Sequence, residues 1–120
     1  MAKILVVEDN ELNLKLFNDL LSAKNHEVLI SQEGHDAFDL AKDNKPDLIL
    51  MDIQLRGISG LDIVKELKNF PETSAIPVIA VTAFAMKNDE ERFIAAGCDM
   101  YLAKPLSIDK LYDAISKYVK

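Results

Sequence analysis

Short runs of aliphatic and β-branched residues alternate with longer stretches of helical period along this chain. The first run is Ile4 to Val7. Glu11 to Lys24 follows, with Leu12, Leu16 and Leu20 on one face and Phe17 and Leu21 beside them, a spacing that predicts a helix. Val28 to Ile30 reads as a short strand. Ala37, Leu40 and Ala41 mark a second helix, which must stop before Pro46 because the residue preceding a proline avoids the α region. Asp47 to Met51 is a continuous apolar strand behind one leading acid. A third helix runs near Ser59 to Asn69 with Leu61, Val64 and Leu67 inward. Pro77 to Val81 is a buried strand whose proline fits only at its start. A fourth helix covers Asn88 to Ala96, with Gly97 as its C′ residue. Met100 to Ala103 is a weaker strand. Ser107 caps a last helix carrying Ile108, Leu111, Tyr112, Ile115 and Val119.

Alternating strands and helices imply the α/β class. Strands apolar along their whole length imply a parallel sheet covered on both faces. To cover both faces, the chain reverses its winding direction once. The expected solution is a doubly wound, flavodoxin-like five-stranded parallel sheet in the order 2-1-3-4-5. No linker interrupts the repeats, so residues 1–120 are expected to form one domain without an output domain.

Composition narrows the class. The chain has 120 residues, 20 acidic against 14 basic, and a net charge of −6. That balance disfavours nucleic-acid binding, which rests on neutralising phosphates. One cysteine makes neither an internal disulfide nor a zinc site alone. No apolar run is long enough to span a membrane, and the apolar start runs into Glu8 and Asp9 instead of a cleavage site. The cytoplasm is the expected compartment.

Ligands of open α/β sheets bind beyond the carboxyl ends of the strands, at the point where winding reverses. The strands deliver Glu8 and Asp9, then Asp52, Thr82 and Lys104 to that edge. An isolated acid there would simply cap a helix or end a strand. Converging carboxylates instead need a counter-charge, and a hard divalent cation supplies it. Magnesium suits a site that offers carboxylates and takes further oxygens from a phosphate. Asp52 closes the most apolar strand, so it is the candidate nucleophile, an acyl-phosphate former. Glu8 and Asp9 would hold the metal. Lys104 would pair with Asp52 or the phosphoryl group, and Thr82 would donate to a phosphoryl oxygen.

At these residues the sequence resembles a response-regulator receiver domain, over its whole length. The motifs are VVEDN at Val6 to Asn10, LILMDIQL at Leu48 to Leu55, VTAFA at Val81 to Ala85 and YLAKPL at Tyr101 to Leu106. Longer segments resemble a stand-alone receiver of alphaproteobacterial cell-cycle control. The resemblance implies that Asp52 is the phosphoacceptor and Asp9 the direct ligand of Mg2+, or of Mn2+ in its place. It implies that Gln54 completes the metal shell through its backbone carbonyl. It makes Thr82 and Tyr101 the switch residues, Lys104 the partner of the phosphoryl group, and the Lys104–Pro105 bond cis. Phosphate would come from a sensor histidine kinase or a histidine phosphotransfer protein. Output would pass through the fourth helix, fifth strand and fifth helix to a downstream signalling protein or kinase. The protein would be a signalling phosphoprotein of a phosphorelay, not an enzyme. It would be monomeric, with dimerisation on phosphorylation left open, and partners could recruit it to cell poles.

One departure stands out. Receivers usually carry proline four residues after the phosphoacceptor, where this chain has Arg56 followed by Gly57. Proline restricts φ, so Arg56-Gly57 is expected to leave the loop more mobile, and Arg56→Pro to tighten magnesium binding. Two other functions fit the fold. A magnesium-dependent aspartyl-phosphate phosphatase needs a second acid two residues past its nucleophile, where this chain has Gln54. A flavodoxin-like electron carrier needs a hydroxyl-rich phosphate loop, where this chain has Glu8-Asp9-Asn10-Glu11. His26 and His35 are expected at the surface, and Cys98 as a small buried residue.

Overall fold

The computed structural model describes residues 2–83, 87–104 and 107–119, without the side chains of 87–89. The strands of the main sheet are β1 (Lys3–Val7), β2 (Glu27–Ser31), β3 (Leu48–Asp52), β6 (Val78–Thr82) and β7 (Met100–Ala103). The helices are α1 (Glu11–Ala23), α2 (Ala37–Asn44), α3 (Gly60–Asn69), α4 (Lys87–Ala96) and α5 (Ile108–Ser116). Two further strands, β4 (Gln54–Leu55) and β5 (Ile58–Ser59), form a small antiparallel hairpin between β3 and α3. The main sheet is parallel in the order β2-β1-β3-β6-β7. This is the expected 2-1-3-4-5 order once the hairpin is counted.

Side-chain alternation along the strands builds a core on each face. Leu5, Val7, Ile49, Met51, Val78 and Ala80 pack with the inward residues of α2, α3 and α4. Ile4, Val6, Leu48, Leu50, Ile79 and Val81 pack with those of α1 and α5. A strand buried on both faces must be apolar throughout, which is why β3 and β6 read as unbroken hydrophobic runs. The edge strand β2 is only half covered, and Ile30 is exposed.

Helix starts follow the capping residues. Asn10 and Ser59 accept the N–H groups of Asn13 and Leu61 at the starts of α1 and α3, and Ser107 accepts that of Lys110 in α5. Gly97 ends α4 with a φ of 111°, and the Cys98 N–H reaches back to the Phe93 carbonyl at 3.0 Å.

The helical face of α1 needs correction. Its buried residues are Leu14, Phe17 and Leu21, whereas Leu12 is 80% and Leu16 41% exposed. At about 100° per residue, Leu12 lies nearly opposite Leu14, Phe17 and Leu21. The face that carries the large aromatic ring takes the core, leaving part of the leucine stripe outside. His26 is half-buried, not simply solvated: its Nδ1 accepts the Ala2 N–H at 3.1 Å. His35 is exposed. Cys98 is buried as expected, and burial pushes its thiol up to about 11, so it stays protonated.

Candidate functional site

The carboxyl ends of β1 and β3 are adjacent because those strands pair in register, Val7 opposite Met51. The residues that follow are therefore neighbours in space. Glu8 leaves β1 buried, Asp52 ends β3 buried, and Asp9 is half-buried at the mouth. Ligand oxygens of Glu8, Asp9 and Asp52 lie within 4.8 Å of one another. On the other side of β3, Asp52 pairs with Val81, so Thr82 ends β6 one residue further on, with its side chain buried. Lys104 follows β7, and its N–H is held by the Thr82 carbonyl at 2.7 Å.

The Lys104 ammonium crosses back over the sheet edge. Its Nζ donates to Glu8 Oε1 at 3.1 Å and lies 3.6 Å from Asp52 Oδ1. Glu8 is thus its nearer partner, a preference that strand order alone does not reveal. The Gln54 N–H donates to Asp52 Oδ1 at 3.1 Å, which fixes the rotation of that carboxylate. Tyr101 is half-buried, with its ring centre 6.1 Å from that of Phe93 on α4. Pro105 lies outside the described residues.

Three acids gather round one ammonium at a buried position, and both the burial and the neighbouring charge act on Glu8. Burial, then the hydrogen bond and charge of Asp52, push the Glu8 carboxyl up to about 7, against the opposing pull of Lys104. A proton on Glu8 relieves the repulsion without metal, and a divalent cation would relieve it instead. The donors are hard carboxylate oxygens, which fit Mg2+. Glu8 ionises below this value when unfolded, so the folded state holds the extra proton between about pH 4.5 and 7. Metal-free stability should therefore fall as pH rises through that window and level off above it. Stabilisation by magnesium should grow over the same range, because the cation competes with that proton. Thermal melts with and without magnesium from pH 5 to 8 check both slopes, and Glu8→Gln should flatten them.

The Arg56-Gly57 segment is the turn of the β4–β5 hairpin, closed by the Leu55 and Ile58 pair. The Arg56 N–H donates to Asp9 Oδ2 at 2.8 Å. Sequence reasoning did not find this contact. Two-residue strands are too short to show a period, and the donor is a main-chain group that carries no residue signature.

The response regulator receiver domain model matches residues 4–116 of this chain. The chain belongs to the response regulator receiver domain family. This receiver is 52% identical over 116 residues to the polar-differentiation response regulator DivK of Brucella anthropi, covering 97% of this chain and 94% of that protein. The DivK protein of Brucella ovis matches equally, at 52% over the same length. Among solved structures it resembles the receiver domain of the sensor histidine kinase PA1611 from Pseudomonas aeruginosa PAO1. That likeness has a TM-score of 0.89 and 31% identity, over 98% of this chain and 96% of the other. A magnesium ion is coordinated in the active site cleft of that structure. The chemotaxis protein CheY4 of Vibrio cholerae superposes with a TM-score of 0.93 over 99% of both chains at 22% identity, a likeness of fold. As a receiver, the protein is a component of two-component signalling. Among the described residues, no helix is long and apolar enough to cross a membrane.

Proposed function

We propose that this receiver accepts a phosphoryl group on Asp52 from a histidine kinase or a histidine phosphotransfer protein, and that the modification switches a protein-binding face. The observation that carries this reading is the buried Asp52 carboxylate gathered with Glu8, Asp9 and the Lys104 ammonium at one end of the sheet. In the transfer, the P–N bond of a phosphohistidine breaks as a P–O bond to an Asp52 oxygen forms. The electron pair leaves with the imidazole.

Glu8 and Asp9 would hold Mg2+ together with Asp52 and the backbone carbonyl of Gln54. When bound, the ion supplies charge neutralisation for the phosphoryl oxygens. Phosphoryl transfer asks little more of a protein than positioning and charge. The Gln54 N–H holds Asp52 in orientation. The Lys104 ammonium would turn from Glu8 to the new phosphoryl group. The buried Thr82 hydroxyl would donate to a phosphoryl oxygen, and Tyr101 would repack against α4. That sequence biases a two-state surface formed by α4, β7 and α5 through contacts made only with the phosphorylated state.

The exposed Leu12 and Leu16 begin three residues after Asp9 and support docking of the phosphodonor on α1. The likeness to polar-differentiation regulators supports a role in cell polarity and the cell cycle, with recruitment to poles through partners. An aspartyl-phosphate phosphatase is disfavoured by the exposed amide Gln54, which cannot act as the second acid. Labelled histidine kinases and phosphotransfer proteins of the same organism test this reading. Label should pass to the wild type and not to Asp52→Asn. A folded wild type that takes label from none of them, or label retained in Asp52→Asn, would overturn it.

A further inference from the structure

The β4–β5 hairpin reaches the acid cluster at Asp52, through the Gln54 N–H, and at Asp9, where Arg56 makes two contacts. Its N–H donates to Asp9 Oδ2 at 2.8 Å. Its guanidinium Nε lies 3.9 Å from the same oxygen, with the Arg56 side chain 90% exposed and that of Asp9 17% exposed. The two groups differ in kind. The N–H is fixed by the turn and points at one carboxylate oxygen. The guanidinium is an exposed charge in water.

We propose that Arg56 is a positioning residue with two opposed effects on divalent-cation affinity. Its main-chain N–H orients Asp9 for the ion, and its guanidinium competes with the ion for the same carboxylate. The inference rests on the metal role proposed above for Asp9. A hydrogen bond to a ligating carboxylate holds the ligand in place, and losing such a partner typically weakens metal binding about 10–100-fold. The guanidinium acts in the other direction and more weakly, because exposed ion pairs contribute little and are screened by salt.

The turn lets the two effects be separated. Gly57 has a φ of 75°, while Arg56 is not among the residues with positive φ, the pattern of a type II turn with Arg56 in its first central position. Proline is favoured in that position. Arg56→Pro should therefore keep the hairpin and remove both the charge and the N–H. Arg56→Ala removes the charge alone. Turn stiffness by itself argues that proline tightens binding, and the loss of the N–H to Asp9 argues the reverse. The N–H is the larger effect.

The experiment is a magnesium titration of wild type, Arg56→Ala and Arg56→Pro, by calorimetry and by amide chemical shifts. Urea melts of each variant and hydrogen exchange at Leu55 and Ile58 report whether the hairpin persists. Arg56→Ala should bind about 2–5-fold more tightly than wild type at low salt, with the gap closing in about 1 M salt. Arg56→Pro should bind at least about tenfold more weakly than Arg56→Ala, with the hairpin still protected. The Arg56 amide proton of the wild type should shift on metal addition together with those of Asp9 and Asp52.

Equal affinities in Arg56→Pro and Arg56→Ala would overturn the orienting effect. A wild type no weaker than Arg56→Ala would overturn the competing one. If Arg56→Pro loses the hairpin, an Arg56→Ala chain carrying an ester in place of the residue 56 amide removes the N–H alone and decides the same comparison. Wild-type magnesium binding that leaves the Asp9 and Asp52 amides unmoved would instead overturn the metal site itself, and this inference with it.

Discussion

Replacing Lys104 by methionine should destabilise the metal-free protein by about 3 kcal/mol at pH 7.5, an order-of-magnitude value for removing one partner of a buried ion pair. The Lys104 ammonium bridges Glu8 Oε1 at 3.1 Å and Asp52 Oδ1 at 3.6 Å, and both acids are almost fully buried. Methionine keeps the length and apolar stem of the side chain, so the loss is mainly of charge. Two remedies follow from the same electrostatics. Magnesium should recover more stability in Lys104→Met than in wild type, since the cation replaces the missing counter-charge. Lowering the pH toward 5.5 should also recover part of the loss, because Glu8 then carries a proton. Urea melts at two pH values, with and without magnesium, check this. A loss that neither magnesium nor acid relieves would mean that Lys104 serves packing and not charge balance.

Gly60→Ala should cost about 2–3 kcal/mol, at the upper end of the cost of overpacking, and suppress phosphate uptake on Asp52 by at least about tenfold. Gly60 opens α3 where the chain turns back over the end of β3, and its N–H donates to the Ile53 carbonyl at 3.0 Å. A β-carbon there would collide with the Asp52 carbonyl oxygen and lie 2.8 Å from Ile53 Cα. Both neighbours are main-chain atoms and cannot rotate aside. The strain would therefore displace Asp52 itself, and a small misplacement of a reacting group costs rate steeply. Gly57→Ala is the contrasting variant. Nothing lies within 4 Å of a β-carbon at Gly57, whose positive φ alone disfavours alanine, by about 1–2 kcal/mol. Chemical denaturation and acetyl-phosphate uptake of the two variants check the difference. Equal effects would show that α3 is free to shift away from β3.

Much of this architecture was legible because a parallel sheet covered on both faces leaves a strong trace. After Lys3 at the start of β1, the runs at β1, β3 and β6 have no polar residue until the strand ends, and that end is where Glu8, Asp52 and Thr82 appear. Side chains at strand ends converge by topology, so the site followed from the strand order. The rest was hidden for local reasons. Leu12, Leu16 and Leu20 form as regular a stripe as Leu14, Phe17 and Leu21, and periodicity cannot say which one meets the sheet. The choice of Lys104 between Glu8 and Asp52 depends on side-chain reach. The raised Glu8 carboxyl depends on burial, which charge counting does not give. Arg56 looked like a missing proline, yet it carries a main-chain donor to Asp9 that proline lacks, so on the proposal above restoring proline would weaken metal binding instead of tightening it.

The proposed function turns on uptake of a phosphoryl group by Asp52 with the help of a divalent cation. Incubating the chain with acetyl phosphate and magnesium, then measuring intact mass and mapping the adduct, tests it most directly. The expected result is one added phosphoryl group on Asp52, not formed when magnesium is chelated beforehand and absent in Asp52→Asn. A folded protein that gains no phosphoryl group, or gains one that persists in Asp52→Asn, would contradict it.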